Sequence, residues 1–171
     1  MRKTFFLISF VLYGSVVFSQ TEKGEATLKA AFIYNFTKYI DWKPEDMQAE
    51  FVIGVIGNSP VTASLEEISK TYRAKNRKIV IRYYNKPEEI VFCNILFIPK
   101  SQPHSLFSIL EQTRKGMLTI TEEPGFGNLG SAINFINVRN KLKFEANLDA
   151  IYSAGLSASS QLLKLAVIVG K

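Results

Sequence analysis

Residues 117–147 read MLTITEEPGFGNLGSAINFINVRNKLKFEAN, and the fold class turns on them. Residues 117–121 are a short apolar run with strand character. A loop follows in which Pro124, Gly125, Gly127 and Gly130 surround Phe126. Glycine tolerates positive φ and close backbone approach, so these positions predict a shaped loop. Two alternating runs, 132–138 and 141–146, are joined by Arg139 and Asn140. Such runs around a two-residue connection predict a hairpin. In the first, Ile133, Phe135 and Val138 are apolar while Ile136 breaks the alternation. In the second, Leu142 and Phe144 share one face. The stretch therefore predicts strand, glycine loop, hairpin.

The chain before it alternates between strand and helix signals. Residues 25–42 predict an amphipathic helix in which Leu28, Phe32, Phe36 and Ile40 recur every four residues, with Lys29 and Lys38 on other faces. Lys43-Pro44 should stop it. Residues 51–57, FVIGVIG, suit a strand buried on both faces. Asn58-Ser59-Pro60 then opens a helix over 61–70, with Leu65 and Ile68 inward. Residues 79–84 and 93–98 are two more strands, separated by a short helical turn that Lys86-Pro87 begins. A loop at 99–104 leads to a helix over 105–115, with Leu106, Ile109 and Leu110 inward and Gly116 as its C-cap. Beyond the hairpin, Asn147 should cap a closing helix that Ala154-Gly155 interrupts. A second helical piece at 157–169 would lay Leu162, Leu163, Leu165 and Ala166 on the sheet.

This alternation predicts an α/β three-layer sandwich. Its central sheet is mostly parallel with about six strands, a C-terminal antiparallel hairpin and helices on both faces. A chain of 171 residues predicts one domain. An apolar content of 47% with 12% aromatic residues suffices for a packed core and excludes a disordered chain.

The N-terminus reads as a signal peptide. Arg2 and Lys3 precede an apolar stretch over 4–18 without an acidic residue, and cleavage is expected after Ser19. The run is short of the ~20 residues a spanning helix needs. No cysteine follows it, so a lipoprotein anchor is not indicated. An exported, periplasmic domain over residues 20–171 is expected. Cleavage removes two of the 21 basic residues and none of the 15 acidic ones, which leaves a net charge of +4. That mild basicity does not predict dedicated nucleic-acid binding. Cys93 is the sole cysteine, so no intrachain disulfide is available, and it reads as a buried core thiol.

Catalytic signals are weak. His104 is the only histidine, which excludes a His-based metal cluster. No Gly-x-Ser-x-Gly elbow supplies a nucleophile for it. The glycines at 125, 127 and 130 have dinucleotide-loop spacing, but a strand follows them where a helix is required, and Glu122 and Glu123 would repel a pyrophosphate. Neither enzyme activity nor a bound metal or cofactor is expected. Loops at the carboxyl ends of parallel strands could still converge, which would place Asn58, Ser59, Ser101, His104, Glu122 and Phe126 on one rim. Ordinary turn chemistry accounts for the same residue types. Tyr34, Tyr39 and Trp42, on or after the first helix, are either a docking stripe or core. Residues 70–82 carry six basic side chains and no acidic one. They would face an anionic lipid or acidic partner, or protect a sheet edge.

Several segments resemble one family. Residues 29–38, KAAFIYNFTK, followed by Trp42, are similar to the opening of the YfiR-like periplasmic proteins. Residues 93–98, CNILFI, resemble their third strand. Pro124-Gly125-Phe126, residues 144–148, Ala154-Gly155-Leu156 and residues 159–166 resemble the C-terminal half. The likeness spans about residues 27–168, nearly the whole exported chain. It implies a non-catalytic periplasmic regulator that binds and restrains a membrane sensor, of diguanylate cyclase or histidine kinase type. The member that gives the family its name restrains cyclic-di-GMP synthesis in this way. A homodimer is the expected assembly, with Tyr34, Tyr39, Trp42, Glu122 and Phe126 as candidate partner contacts. The alternative is a small-ligand module that uses the rim of Asn58, Ser59, Ser101 and His104.

Overall fold

The computed structural model describes residues 15–43, 49–102 and 104–170. The leader through residue 14 and the expected helix stop at Pro44 lie outside them. The elements in chain order are α1 (Ser15–Tyr39), β1 (Ile40–Asp41), β2 (Glu50–Ile56), α2 (Val61–Thr71), β3 (Arg73–Ala74) and β4 (Arg77–Tyr84). Then come β5 (Ile95–Ile98), α3 (Leu106–Leu110), β6 (Leu118–Thr121), β7 (Ile133–Val138) and β8 (Lys141–Asn147). The chain closes with α4 (Leu148–Ser153), β9 (Ser157–Ala158), α5 (Ser160–Leu163) and β10 (Val167–Val169).

Eight strands form one sheet in the order β10-β8-β7-β6-β5-β2-β4-β3. Strands β4, β2, β5, β6 and β7 run parallel. β8 returns antiparallel to β7, and β10 lies parallel to β8. β1 and β9 pair apart from this sheet as a two-stranded antiparallel ribbon. The hairpin turn at Arg139 and Asn140 has φ of 50° and 59°. Two successive positive φ values match the right-handed twist of the strands they join.

Burial on both sides of the sheet explains the near-continuous apolar strands. One face carries Phe51, Ile53, Val55, Ile95, Phe97 and Ile120, covered by α1, α2, α4 and α5. The other carries Val52, Ile56, Leu96 and Ile98, covered by α3, Ile90 and Cys93. Gly54 belongs to this second face. A Cβ there would lie 2.7 Å from the Tyr84 ring and 3.0 Å from the Cys93 sulfur, so a mid-strand glycine is required.

Two expectations change. The buried stripe of α1 is Ala26, Ala30, Ile33 and Phe36, continued by Ile40 in β1, while Leu28 faces solvent. Small alanines let the helix approach the sheet, and Phe36 then meets Phe135 and Phe144 at 6.1 and 5.1 Å between ring centres. The four-residue spacing from Leu28 read the stripe rotated around the helix. At the C-terminus, the piece expected to be helical over 157–169 is strand, one helical turn, then strand. Ser159 caps that turn by accepting from Leu162 N. The β-branched Val167, Ile168 and Val169 then pair with Glu145, Ala146 and Asn147. Leu165, expected on the sheet, is 67% exposed.

Candidate functional site

Parallel strands β2, β5 and β6 end on one side of the sheet, and their loops meet there. Ser101 Oγ donates to Asn58 O at 2.6 Å. The amide of Lys100 donates to Glu122 Oε1 at 3.0 Å, and Lys29 Nζ in α1 reaches Glu122 Oε2 at 2.7 Å. Lys29 also pairs with Glu25 at 2.8 Å, and Lys100 lies 3.7 Å from Glu123. The expected rim therefore brings Asn58, Ser101 and Glu122 together around their own hydrogen bonds. Ser59 is buried, and its Oγ accepts from Val61 N at 3.2 Å to start α2. His104 turns aside, with Nε2 3.0 Å from Asn85 O beyond β4. Phe126 packs against the second core cluster.

The glycine loop is tied to the hairpin by polar side chains, of which the sequence singled out only Asn147, as the cap of the closing helix. Thr121 Oγ1 donates to Asn134 Oδ1 at 2.8 Å, and Asn134 Nδ2 donates to Glu145 Oε2 at 2.8 Å. Asn147 Nδ2 donates to Gly127 O at 2.8 Å while its Oδ1 accepts from Ala150 N at the start of α4. Thr121 and Asn134 are fully buried. A polar residue in the middle of an apolar strand was the available signal, because a buried amide needs partners.

The aromatic candidates separate by depth. Trp42 is 8% exposed, donates from Nε1 to Gly116 O at 2.8 Å and sits edge-on to Phe51. Tyr39 is half-buried against the core, and its carbonyl accepts from Ser159 N. Tyr34 is half-buried too. It meets Tyr72 at 5.0 Å and Lys38 Nζ at 4.5 Å from its ring centre. Tyr72 is exposed, so Tyr34 is the member of the stripe with an aromatic surface neighbour.

Cys93 sits in the core with its sulfur near the Gly54 and Tyr84 positions. Burial pushes its thiol pKa up to about 12. A thiol held protonated is a poor nucleophile. In native protein at pH 8 a thiol-reactive dye is expected to label Cys93 only after denaturant is added. Labelling complete within minutes without denaturant would contradict this burial. Among the described residues, no group of three or more His, Cys, Asp or Glu side chains could hold a metal ion.

Two surface depressions lie elsewhere. One of about 330 Å³ is bordered by Asp41, Trp42, Lys43, Tyr152 and Leu156. A second of about 460 Å³ runs between α2 and β4, bordered by Glu66, Ser69, Lys70, Lys78, Ile81 and Tyr83.

An α/β sandwich with strand-end loops bonded to one another is the class these features define. A YfiR/HmsC-like family model (DUF4154) matches residues 26–167, which is most of the chain. The protein belongs to the YfiR/HmsC-like family. That family is one of periplasmic signalling regulators, regulatory in character and not catalytic. No curated protein matches the chain. Among the described residues no helix is long and apolar enough to cross a membrane.

Proposed function

We propose that this protein is exported, loses its leader after Ser19 and restrains a membrane-bound sensor by direct contact. The observation that carries the reading is the YfiR/HmsC-like match across residues 26–167. A sensor of diguanylate cyclase or histidine kinase type fits that family character, and a homodimer is the working assembly. Cleavage after Ser19 would remove only the first turn of α1 and leave its buried stripe intact. The bonded strand-end loops favour contact with a macromolecule over capture of a small ligand at the rim of Asn58, Ser59, Ser101 and His104.

Crosslinking in intact cells, followed by isolation of inner membranes, tests this directly. One membrane protein with a sensor domain outside the cytoplasm should be captured, and deleting the gene for this protein should raise that sensor's output. Accumulation of the tagged protein in the cytoplasm would sink the reading. So would an unchanged output in the deletion strain together with no crosslinked membrane protein.

A further inference from the structure

Strand β4 is eight residues long and lies one place from the edge of the sheet. β3 shields only its beginning, pairing Ala74 with Arg77 and Arg73 with Lys78. From Ile79 to Tyr84, among the described residues, no strand lies beside it on that side. The direction of its backbone groups follows from alternation. Tyr84 O accepts from Gly57 N, so the even-numbered residues bond toward β2. Ile79, Ile81 and Tyr83 consequently aim their N–H and C=O groups outward.

Long open edges are usually blunted by charge in the strand, by proline or by a bulge. Here Ile79, Val80 and Ile81 are uncharged, and the edge opens into the depression of about 460 Å³ beside α2. Charge lies around this opening. Residues 64–86 carry seven basic side chains and two acidic ones. Both acids have local partners: Glu66 accepts from the Tyr83 hydroxyl, and Glu67 pairs with Lys70 at 2.7 Å. Lys75 is drawn away to Asp41 at 2.9 Å, while Arg73 and Lys78 sit at the start of the open stretch and Arg82 lies within it. Lys78 and Arg82 share the face of Tyr84, opposite the α2 side. The opposite sheet edge, β10, is only three residues long.

We propose that the groove between β4 and α2 receives an extended acidic segment of a partner protein, which adds to β4 as a further strand. Backbone bonds to Ile79, Ile81 and Tyr83 would hold the segment, and the surrounding basic side chains would select its charge. The proposal rests on the binding function above and names where that binding occurs.

The test uses the whole purified protein and a hexapeptide alternating valine with glutamate. Amide resonances of Ile81 and Tyr83 should shift on titration, while those of Val80 and Arg82 shift less. A lysine version of the peptide should bind at least about tenfold more weakly. Tyr83→Pro removes one outward donor at an edge position where proline is tolerated. It should lower affinity about tenfold with the fold retained. If Tyr83→Pro does not fold, the double substitution Lys78→Glu with Arg82→Glu keeps every strand bond and should reverse the charge preference. Equal binding of both peptides, absence of shifts at millimolar peptide, or full affinity in the variants would overturn the proposal. Sedimentation with phosphatidylglycerol vesicles that saturates the same resonances and excludes the peptide would instead assign the patch to membrane. If a captured membrane sensor still binds Tyr83→Pro normally, the regulatory function stands and this site does not.

Discussion

Trp42→Ala is expected to cost about 3–5 kcal/mol of folding free energy, the range for emptying a buried tryptophan site. The indole closes the gap between the end of α1 and the turn that enters β6. Its ring lies 5.2 Å from Phe51 at an interplanar angle of 85°, and its nitrogen holds Gly116 O. Trp42→Phe separates these contributions. It keeps most of the apolar contact but leaves that carbonyl without its donor, at about 1–2 kcal/mol. Trp42 is the sole tryptophan, so unfolding of the variants is followed in urea by circular dichroism. A midpoint unchanged in Trp42→Ala would show that the side chain does not hold the core together. The pair also bears on docking. Folded Trp42→Phe should keep partner binding, whereas loss of binding without loss of stability would return Trp42 to the interaction surface.

The strands were legible because a sheet buried on both faces writes itself as apolar runs. Residues 51–57 and 93–98 admit little else, and two-residue connections mark hairpins. What eluded the sequence were elements whose structure comes from their neighbours. Arg73 and Ala74 are a strand only because Lys75 and Asn76 adopt φ of 48° and 63° and fold them back on Arg77 and Lys78. Val167, Ile168 and Val169 suit a strand, but the helical spacing of Leu162 and Leu163 just before them suggested a continued helix. The free edge of β8, not visible in local sequence, decides the matter. The same reason rotates α1. Periodicity finds an apolar face, yet the alanines that allow close approach carry less hydrophobic weight than Leu28, which is exposed.

The candidate surfaces were legible in position and less so in state. Strand-end loops converge as parallel topology requires. Whether they leave room for a ligand depends on side chains meeting across 43 positions, as Ser101 meets Asn58. No spacing rule anticipates that. The basic run was visible as charge alone. Its setting beside an open strand depends on β3 beginning only at Arg73, opposite Lys78, which only the tertiary arrangement reveals.

Lys29→Met should destabilise the protein by about 1–3 kcal/mol, because it leaves the half-buried Glu122 carboxylate without its cation. The side chains of Lys29 and Glu122 are 15% and 12% exposed. Glu122 would keep the Lys100 amide and lose its cation. Replacing both residues, Lys29→Met with Glu122→Gln, should recover much of the loss, and the double-mutant cycle measures the coupling. A pH series supplies a second check. Burial alone would lower the pKa of Lys29, but hydrogen bonds and charge from Glu122 and Glu25 outweigh it and raise the pKa above the ordinary 10.5. A lysine with a raised folded pKa stabilises fully below its unfolded value and loses that contribution as pH climbs through the folded one. The stability gap between wild type and Lys29→Met should therefore be constant up to about pH 10 and narrow above 10.5. A gap that stays constant through pH 12 would mean that the methylene stem, not the ammonium, carries the effect. Partner binding then discriminates the role of Glu122. If its carboxylate serves only to fasten α1 to the strand ends, the doubly substituted protein binds as wild type does. If the carboxylate is itself a contact, binding falls although stability has returned.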